Sequence, residues 1–174
     1  MNPSKRVKAA IANKVVSWLE KWRTRYFLLQ IPQVGEDVRI FNGLFVENPH
    51  NVILGNHVRI NVNCMMQAHA RIEIGDYTMI GASCLIVTAN HDTSKRGLEA
   101  FDTQKHLPVK IGRHCWLGAG VTVLPGVTIG DEVVVGAGST VTSDLPPGGI
   151  YAGSPARFIK TRPGIGIDSC HETL

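Results

Sequence analysis

The sequence predicts an all-β fold, a parallel solenoid of about five coils that follows an N-terminal helix. An aliphatic residue recurs every six positions over most of the chain, which is the spacing of short strands joined by regular corners. Valine and isoleucine together number 33 against 12 leucines, and this β-branched excess suits pleated strands better than a helical bundle. The length of 174 residues fits one domain.

Composition narrows the class of protein further. The hydrophobic content of 44% argues against a disordered chain, and only 18% of the residues are charged. No apolar run approaches the ~20 residues that cross a bilayer, and no signal peptide is visible, so we expect a cytoplasmic protein. Four cysteines without paired close spacing are typical of reduced thiols in that compartment rather than of a disulfide scaffold.

Residues 1–30 are predicted to form a basic amphipathic helical segment. They carry seven lysines and arginines against one glutamate, a charge of +6; since the whole chain is +4, residues 31–174 sum to −2. An apolar stripe follows the helical period: Val7, Ile11, Val15, Trp18 and Trp22. Two hypotheses are open for this stripe, which either packs on the coil and caps its N-terminal end or lies on an anionic membrane, at its inner face. Nucleic-acid binding is not expected, because the basic residues sit on one short segment.

Hexads define the solenoid, which we place at residues 31–160. From residue 111 onward an aliphatic residue heads six consecutive hexads: Ile111, Leu117, Val123, Ile129, Val135 and Val141. Each predicted coil starts with an aliphatic residue followed by glycine: Val34, Leu54, Ile74, Ile111 and Ile129. Three hexads per turn describe a triangular coil whose aliphatic side chains form an inner column, with glycine at corners that need unusual φ and ψ values. The periodicity alone leaves the handedness open.

One excursion interrupts the hexads, over residues 92–110. It is rich in charge, and a long departure from a regular scaffold usually serves a function. Residues 161–174 contain no hexad and are predicted to be a tail in which Cys170 is an exposed thiol. The other cysteines fall at the fifth position of a hexad, where a small inward side chain fits, so we expect them to pack in the core: Cys64, Cys84 and Cys115.

Residues 111–160 read IGRHCWLGAGVTVLPGVTIGDEVVVGAGSTVTSDLPPGGIYAGSPARFIK. This string resembles the hexapeptide-repeat acyltransferases, and within them the branch of galactoside, maltose and lipopolysaccharide O-acetyltransferases. The resemblance spans about residues 34–160 and rests on the hexads, the Trp-Leu-Gly step, LPGVTIG and the exit AGSPAR. It implies a left-handed parallel β-helix, a homotrimer, and acetyl-CoA bound in clefts between neighbouring subunits.

The resemblance also implies a catalytic histidine. In this family a loop leaves the helix just after that residue, and VTANHD (87–92) matches the junction, so His91 is the predicted general base. A sugar hydroxyl is a weak nucleophile at neutral pH, and a base that takes its proton is typically worth ~10²–10⁴ in rate. An acidic partner is expected to orient His91, and three residues are candidates for it: Asp92, Glu99 and Asp102.

Further site residues follow from the same alignment. The family asparagine that serves the acetyl group and the acceptor aligns with Asn61, and Asn63 is the neighbouring candidate. The resemblance assigns seven residues to coenzyme A, from the pantetheine to the adenosine phosphates: Trp116, Ala119, Ala137, Thr142, Ser143, Arg157 and Lys160. His69 stands where galactoside acetyltransferases carry an acidic acceptor contact, so it is a substrate-binding candidate and the acceptor stays open.

The predicted function is acetyl-CoA-dependent O-acetylation of a saccharide hydroxyl in cell-surface polysaccharide or lipopolysaccharide biosynthesis. N-acetylation of a nucleotide-linked amino sugar is an alternative, because one base serves both reactions. A non-catalytic β-helix scaffold is an alternative of another class, although such a scaffold has no need of His91, Asn61, Trp116 and Arg157 together. No metal is expected, since no two histidines have the H-x4-H spacing of a β-helix carbonic anhydrase.

Overall fold

A parallel β-helix forms the body of the protein in the computed structural model, which describes residues 3–164. The first three coils each contribute three short strands: β1 (Gln33–Val34), β2 (Arg39–Ile40), β3 (Phe45–Glu47), β4 (Val52–Leu54), β5 (Arg59–Ile60), β6 (Met65–Gln67), β7 (Ile72–Ile74), β8 (Met79–Ile80) and β9 (Leu85–Val87). A one-turn 3₁₀ helix, Pro49–Asn51, precedes β4. The predicted β-solenoid is confirmed.

An excursion separates these coils from the rest and has its own secondary structure: β10 (Ala89–His91), the helix α2 (Leu98–Asp102) and β11 (Gln104–His106). Two more coils and the beginning of a sixth follow: β12 (Val109–Ile111), β13 (Trp116–Leu117), β14 (Thr122–Val123), β15 (Thr128–Ile129), β16 (Val134–Val135), β17 (Thr140–Val141) and β18 (Gly149–Ala152). A final strand, β19 (Arg157–Thr161), runs antiparallel to β18. Residues 165–174, with the predicted tail thiol Cys170, lie outside the described residues.

Three parallel sheets wrap the coil. Sheet A has the order β1-β4-β7-β12-β15, sheet B runs β2-β5-β8-β13-β16-β18 and ends on β19, and sheet C has the order β3-β6-β9-β14-β17. The heads of the predicted hexads are register partners, because Leu54 pairs with Ile74, Ile74 with Ile111, and Ile111 with Ile129. The six-residue period of the sequence therefore sets the pairing of the strands.

The inner columns form one continuous hydrophobic core. In the second to fifth coils every hexad head is at most 2% exposed: Leu54, Ile60, Met66, Ile74, Ile80, Ile86, Ile111, Leu117, Val123, Ile129, Val135 and Val141. Cys64, Cys84 and Cys115 are equally buried, as predicted, and each thiol donates a hydrogen bond to a glycine carbonyl of the next coil. Because every coil covers its neighbours, no coil buries its apolar side chains alone.

The glycines that follow the first residue of each coil have a different role from the predicted one. At Gly75 a Cβ atom would lie 2.7 Å from the backbone nitrogen of Arg113, so this glycine is needed for the close approach of adjacent coils. The left-handed conformation falls two residues later, at non-glycine residues with φ between 47° and 62°: Asp37, His57, Tyr77, His114 and Glu132. The expectation that glycine provides the unusual φ and ψ values is therefore wrong for the coil starts. It is confirmed at other corners, where φ lies between 69° and 84° at Gly43, Gly120, Gly126 and Gly138.

The N-terminal helix α1 spans Pro3–Gln30, as predicted. In its last turn Phe27 and Leu28 are partly buried against the core beside Ile31. Every described side chain of the predicted stripe is at least half exposed: Ile11, Val15, Trp18 and Trp22. The hypothesis that the stripe caps the chain's own coil is therefore wrong, and the side chain of Val7 lies outside the described residues. No helix among residues 3–164 is long and apolar enough to cross a membrane.

Candidate active site

The excursion places His91 on a hairpin that projects from the coil. Strands β10 and β11 pair antiparallel, with His91 opposite Gln104 and α2 between the strands. The excursion therefore begins at Ala89 and rejoins the coil at Val109, so it starts three residues earlier than predicted and ends two residues earlier. Antiparallel pairing holds His91 at a defined position on the corner between sheet C and sheet A.

One hydrogen bond determines which nitrogen of His91 can act as a base. Nδ1 of His91 lies 3.1 Å from the backbone carbonyl oxygen of Ala100. A carbonyl oxygen can only accept, so Nδ1 carries the proton and donates it to this contact. The lone pair is then on Nε2 of an exposed ring, which is the tautomer that a general base requires.

The predicted acidic partner of His91 is replaced by this carbonyl. Within residues 3–164 no hydrogen bond or ion pair joins His91 to Asp92, Glu99 or Asp102. The carboxylate of Glu99 instead pairs with Lys95 at 2.6 Å. The expectation of an acidic residue that orients His91 is therefore wrong for this conformation of the chain.

Asp92 has a structural role in the excursion. Its Oδ1 accepts hydrogen bonds from the hydroxyl and the backbone N–H of Ser94, and its Oδ2 lies 3.2 Å from Nζ of Lys105. These contacts, the Ser94 hydroxyl first, lower the pKa of Asp92 to about 2. Asp92 stays ionised at neutral pH and ties the residue after His91 to β11.

A polar pocket of about 210 Å³ lies beside His91. It is lined by six residues: Gln67, His69, Ala89, Asn90, His91 and Gln104. His69 was predicted to bind the acceptor, and the structure brings it into the same pocket as His91. The amides of Gln67, Asn90 and Gln104 were not predicted, and together the lining offers several hydrogen-bond donors and acceptors of the kind that hydroxyl groups need.

Glu47 supports this pocket from the coil below. Its Oε1 lies 3.3 Å from Nε2 of His69, and its Oε2 accepts a hydrogen bond of 3.4 Å from the amide of Gln67. The carboxylate accepts, so Nε2 of His69 carries a proton and Nδ1 is free to accept from a ligand when the ring is neutral. The ring of His106 stacks on His69 at a centroid distance of 5.3 Å. The sequence contains a signal for Glu47, which lies 20 residues, one coil, before Gln67.

Asn61 lies on a different corner, between sheet B and sheet C. Its Oδ1 accepts a hydrogen bond of 2.8 Å from the backbone N–H of Val62, which leaves the side-chain NH₂ to donate outward. Such a donor suits a developing oxyanion. Asn63, the other candidate, occupies the left-handed position of this corner with φ of 57°, a conformation that asparagine tolerates well.

A single chain does not bring Asn61 and His91 together. Asn61 follows β5 of sheet B, whereas His91 follows β9 of sheet C, so one whole side of the triangle separates them. At about 3.3 Å per residue that side is on the order of 15 Å long. The two residues can therefore contribute to one reaction only where a second copy of the chain places its corner beside the first.

The residues assigned to coenzyme A also lie on two different corners of the coil. Trp116 on β13 is 50% exposed, and Ala119 and Ala137 are exposed on the following corner. The neighbouring Gly138 has no atom within 4 Å of a Cβ position, so the surface beside the indole is open, as a narrow pantetheine arm needs. Thr142 and Ser143 lie instead at the end of sheet C, on the corner that carries His91.

Two cations lie at the C-terminal end of the coil. Arg157 and Lys160 are exposed on β19. Within residues 3–164 neither forms an ion pair, and the described hydrogen bond of the Arg157 guanidinium runs to the carbonyl of Ala156 at 3.0 Å. Both side chains can therefore bind an added phosphate.

The described cysteines lie in the core, apart from the exposed ring of His91. Residues 3–164 contain no group of three or more histidine, cysteine, aspartate or glutamate side chains that could hold a metal ion. Burial raises the pKa of Cys115 to about 11, and the hydrogen bond with Cys64, followed by burial, raises the pKa of Cys84. Cys84 and Cys115 therefore stay protonated, whereas the hydrogen bond with Cys84 lowers the pKa of Cys64 to about 7. All three side chains are at most 2% exposed, so they are packed in the core.

The triangular β-helix with a histidine on its excursion is the architecture of a hexapeptide-repeat transferase. Residues 108–143 match the family model described as bacterial transferase hexapeptide (six repeats). Nodulation protein L of Rhizobium meliloti (strain 1021) is 40% identical over 107 residues, which are 62% of this chain and 58% of that protein. The chain thus covers less than two thirds of that relative.

Other relatives match over most of their length. WcaF of Escherichia coli (strain K12), which is named for acetyl transfer in colanic acid biosynthesis, is 31% identical over 157 residues, covering 88% of this chain and 84% of that protein. The structure of the hexapeptide-repeat acetyltransferase VCA0836 of Vibrio cholerae O1 biovar eltor, complexed with acetyl coenzyme A, has a TM-score of 0.76 at 32% identity, covering 82% of this chain and 77% of that one. The chain therefore belongs to the hexapeptide-repeat family of left-handed β-helix acetyltransferases, as its sequence predicts.

Proposed function

We propose that the protein is an acetyl-CoA-dependent O-acetyltransferase that acts on a saccharide hydroxyl in cell-surface polysaccharide or lipopolysaccharide biosynthesis. The observation that carries the proposal is the 3.1 Å contact of His91 Nδ1 with the carbonyl oxygen of Ala100, which leaves Nε2 available beside a polar pocket. The acetyl-CoA complex of VCA0836 supports the cofactor, and the name of WcaF supports the pathway.

The chemistry follows from the available groups. Nε2 of His91 takes the proton of the acceptor hydroxyl while the hydroxyl oxygen attacks the thioester carbonyl carbon of acetyl-CoA. The amide of Asn61 donates a hydrogen bond to the oxygen of the tetrahedral intermediate. When the carbon–sulfur bond breaks, the His91 imidazolium returns its proton to the departing thiolate, so the enzyme ends in its starting state.

The active enzyme is a homotrimer in this proposal. His91 and Asn61 lie at opposite ends of sheet C within one chain, and the coenzyme A residues are divided between the same two sides. A second copy that places its sheet B beside the first copy's His91 corner completes the site. Three such contacts close a ring.

The polar pocket is the proposed acceptor subsite. His69 presents its Nδ1 to one hydroxyl of the sugar because Glu47 holds its Nε2, and the amides of Gln67 and Gln104 bind others. In galactoside acetyltransferases, which the sequence resembles, an acidic residue stands at the position of His69. Here the carboxylate comes from the preceding coil and acts through the imidazole.

Replacing Glu47 by glutamine tests this arrangement. We expect KM for the acceptor to rise about tenfold, because a charge-assisted hydrogen bond to His69 is lost, at a cost of about 1.4 kcal/mol. KM for acetyl-CoA should stay constant. Initial rates of thiol release over a panel of neutral and acidic oligosaccharides provide both constants.

The matched control is Glu73→Gln, which removes a half-buried carboxylate on sheet A that pairs with Arg71 at 3.1 Å. This variant should keep both constants. If Glu47→Gln and Glu73→Gln behave alike, Glu47 has no part in acceptor binding.

Calorimetric titration with acetyl-CoA tests two proposals: that acetyl-CoA is the cofactor, and that Arg157 binds its phosphates. The unmodified chain should bind near one acetyl-CoA per chain. Arg157→Ala should weaken the Kd about tenfold or more, because one charge-assisted phosphate contact is lost. The matched control is Arg113→Ala, which removes an arginine on the corner between sheets A and B that pairs with Asp131 at 2.9 Å. Absence of binding to the unmodified chain at millimolar acetyl-CoA would favour the non-catalytic scaffold.

We place the reaction in the cytoplasm. Cys64, Cys84 and Cys115 are free thiols in the structure, which is the ordinary state of cysteine in a reducing compartment.

A further inference from the structure

The long helix α1 exposes an apolar stripe that the coil does not cover. The stripe consists of seven residues, each 50% to 78% exposed: Ile11, Val15, Trp18, Leu19, Trp22, Tyr26 and Leu29. They form one contiguous band with three aromatic rings, and the indoles of Trp18 and Trp22 contact each other at a centroid distance of 5.8 Å. A continuous apolar band of this length in water marks a surface that binds something.

The chain's own core cannot be the binding partner. At about 100° per residue, the stripe residues fall within an arc of about 100° on the helix. Phe27 and Leu28, which pack against the core, lie outside this arc on the far side of the helix. The contact that anchors α1 to the coil therefore turns the stripe away from the coil.

Cations accompany the stripe. At the same angular step Lys14, Lys21 and Arg25 follow one border of the arc, so their charged ends lie beside the apolar band. Lys21 and Arg25 join Trp18 and Trp22 around an open pocket of about 510 Å³. Indole rings next to lysine and arginine suit the boundary between acyl chains and phosphate headgroups.

The net positive charge of the chain is concentrated in its N-terminal segment, while the rest of the chain is slightly acidic. Residues 1–30 sum to +6, while the remaining residues sum to −2. An anionic surface would attract the helix and not the coil, which orients the molecule before any apolar contact forms. Because α1 is not apolar enough to span a bilayer, the geometry suits a helix that lies along the surface.

We propose that α1 is a membrane-docking helix that lies in the interface of an anionic bilayer. The stripe enters the boundary of the acyl chains, while Lys14, Lys21 and Arg25 extend to the lipid phosphates. The opposite face of the helix, through Phe27 and Leu28, keeps the coil on the water side. This docking is independent of the proposed acetyl transfer.

Co-sedimentation of the full chain with lipid vesicles tests the docking. We expect the protein to sediment with vesicles of phosphatidylcholine and phosphatidylglycerol at low salt, and to be released as salt screens the attraction. Vesicles of phosphatidylcholine alone should bind less. In a Trp116→Phe background the two remaining tryptophans are both in the stripe, so their emission should shift to the blue on binding.

Two variants locate the binding surface. Trp18→Ser with Trp22→Ser should reduce the bound fraction at least tenfold, whereas Leu98→Ser with Phe101→Ser, which changes two exposed apolar side chains of α2, should leave it unchanged. Circular dichroism verifies that both variants fold. Failure of the unmodified chain to bind anionic vesicles, or equal binding by both double variants, overturns the proposal. If the tryptophan variant instead lowers the oligomeric state by light scattering and vesicle binding does not change, the stripe contacts a second copy and the membrane proposal is wrong.

Discussion

Replacing His91 by alanine is expected to lower kcat for acetyl transfer by about 10²- to 10⁴-fold, the usual contribution of a general base. Nε2 of His91 is the base in the proposed reaction, and alanine removes this base from the pocket. The side chain is exposed, so its removal should leave the fold and the oligomeric state unchanged. Initial rates at saturating acetyl-CoA measure the effect, with calorimetry to verify that the cofactor still binds.

The matched control is His114→Ala. His114 is also exposed, but it lies on the corner between sheets A and B, where it stacks on Tyr77 at a centroid distance of 4.9 Å. We expect this variant to retain the unmodified kcat. A His91→Ala enzyme with undiminished turnover on a true acceptor would show that another group removes the proton.

The largest effect on stability is expected for Leu117→Ala, at about 2–5 kcal/mol in the free energy of unfolding. Leu117 is 0% exposed, and its strand β13 pairs with β8 on one side and β16 on the other. Truncation leaves a cavity in the middle of the inner column. The adjacent coils cannot close this cavity, because their backbones already touch at the corner glycines.

Leu98→Ala is the control for the same chemical change. Leu98 lies on α2 and is 82% exposed, so its truncation removes little buried surface. We expect a change in the free energy of unfolding within about 0.5 kcal/mol. Chemical denaturation provides both values, and a Leu117→Ala loss no larger than that of Leu98→Ala contradicts the column as the source of stability.

The coil was predictable because its core is periodic. Register partners such as Ile74 and Ile111 are the residues that head the predicted hexads, even though the excursion separates them in the chain. The corners were less predictable, because the hexads contain no sign of which residue bends. The close approach of the coils at Gly75 and the left-handed backbone of Tyr77 are two separate requirements of the corner. The prediction considered only the unusual φ and ψ values.

The site was only partly predictable. The resemblance located His91, but its hydrogen-bond partner is the carbonyl of Ala100, and a backbone oxygen has no sequence signal. Glu47 was missed although its distance from Gln67 equals one coil, since the prediction searched for an acid near His91 along the chain. The helical period placed Ile11, Val15, Trp18 and Trp22 on one exposed face of α1. A period shows which residues share a face and not what covers that face.

Because the coils stack in register, the number of coils between two residues sets the distance between them along the helix axis. Each step from strand to strand along sheet B adds about 4.8 Å, so β13, with Trp116, and β19, with Arg157, are three steps or about 14 Å apart. Duplicating one coil between them would keep every core contact and lengthen this interval by about 4.8 Å, more than a hydrogen bond can absorb. A chain with the added coil should therefore fold. If Trp116 and Arg157 hold acetyl-CoA as proposed, it should no longer match the length of that cofactor, and the number of coils is then a determinant of specificity.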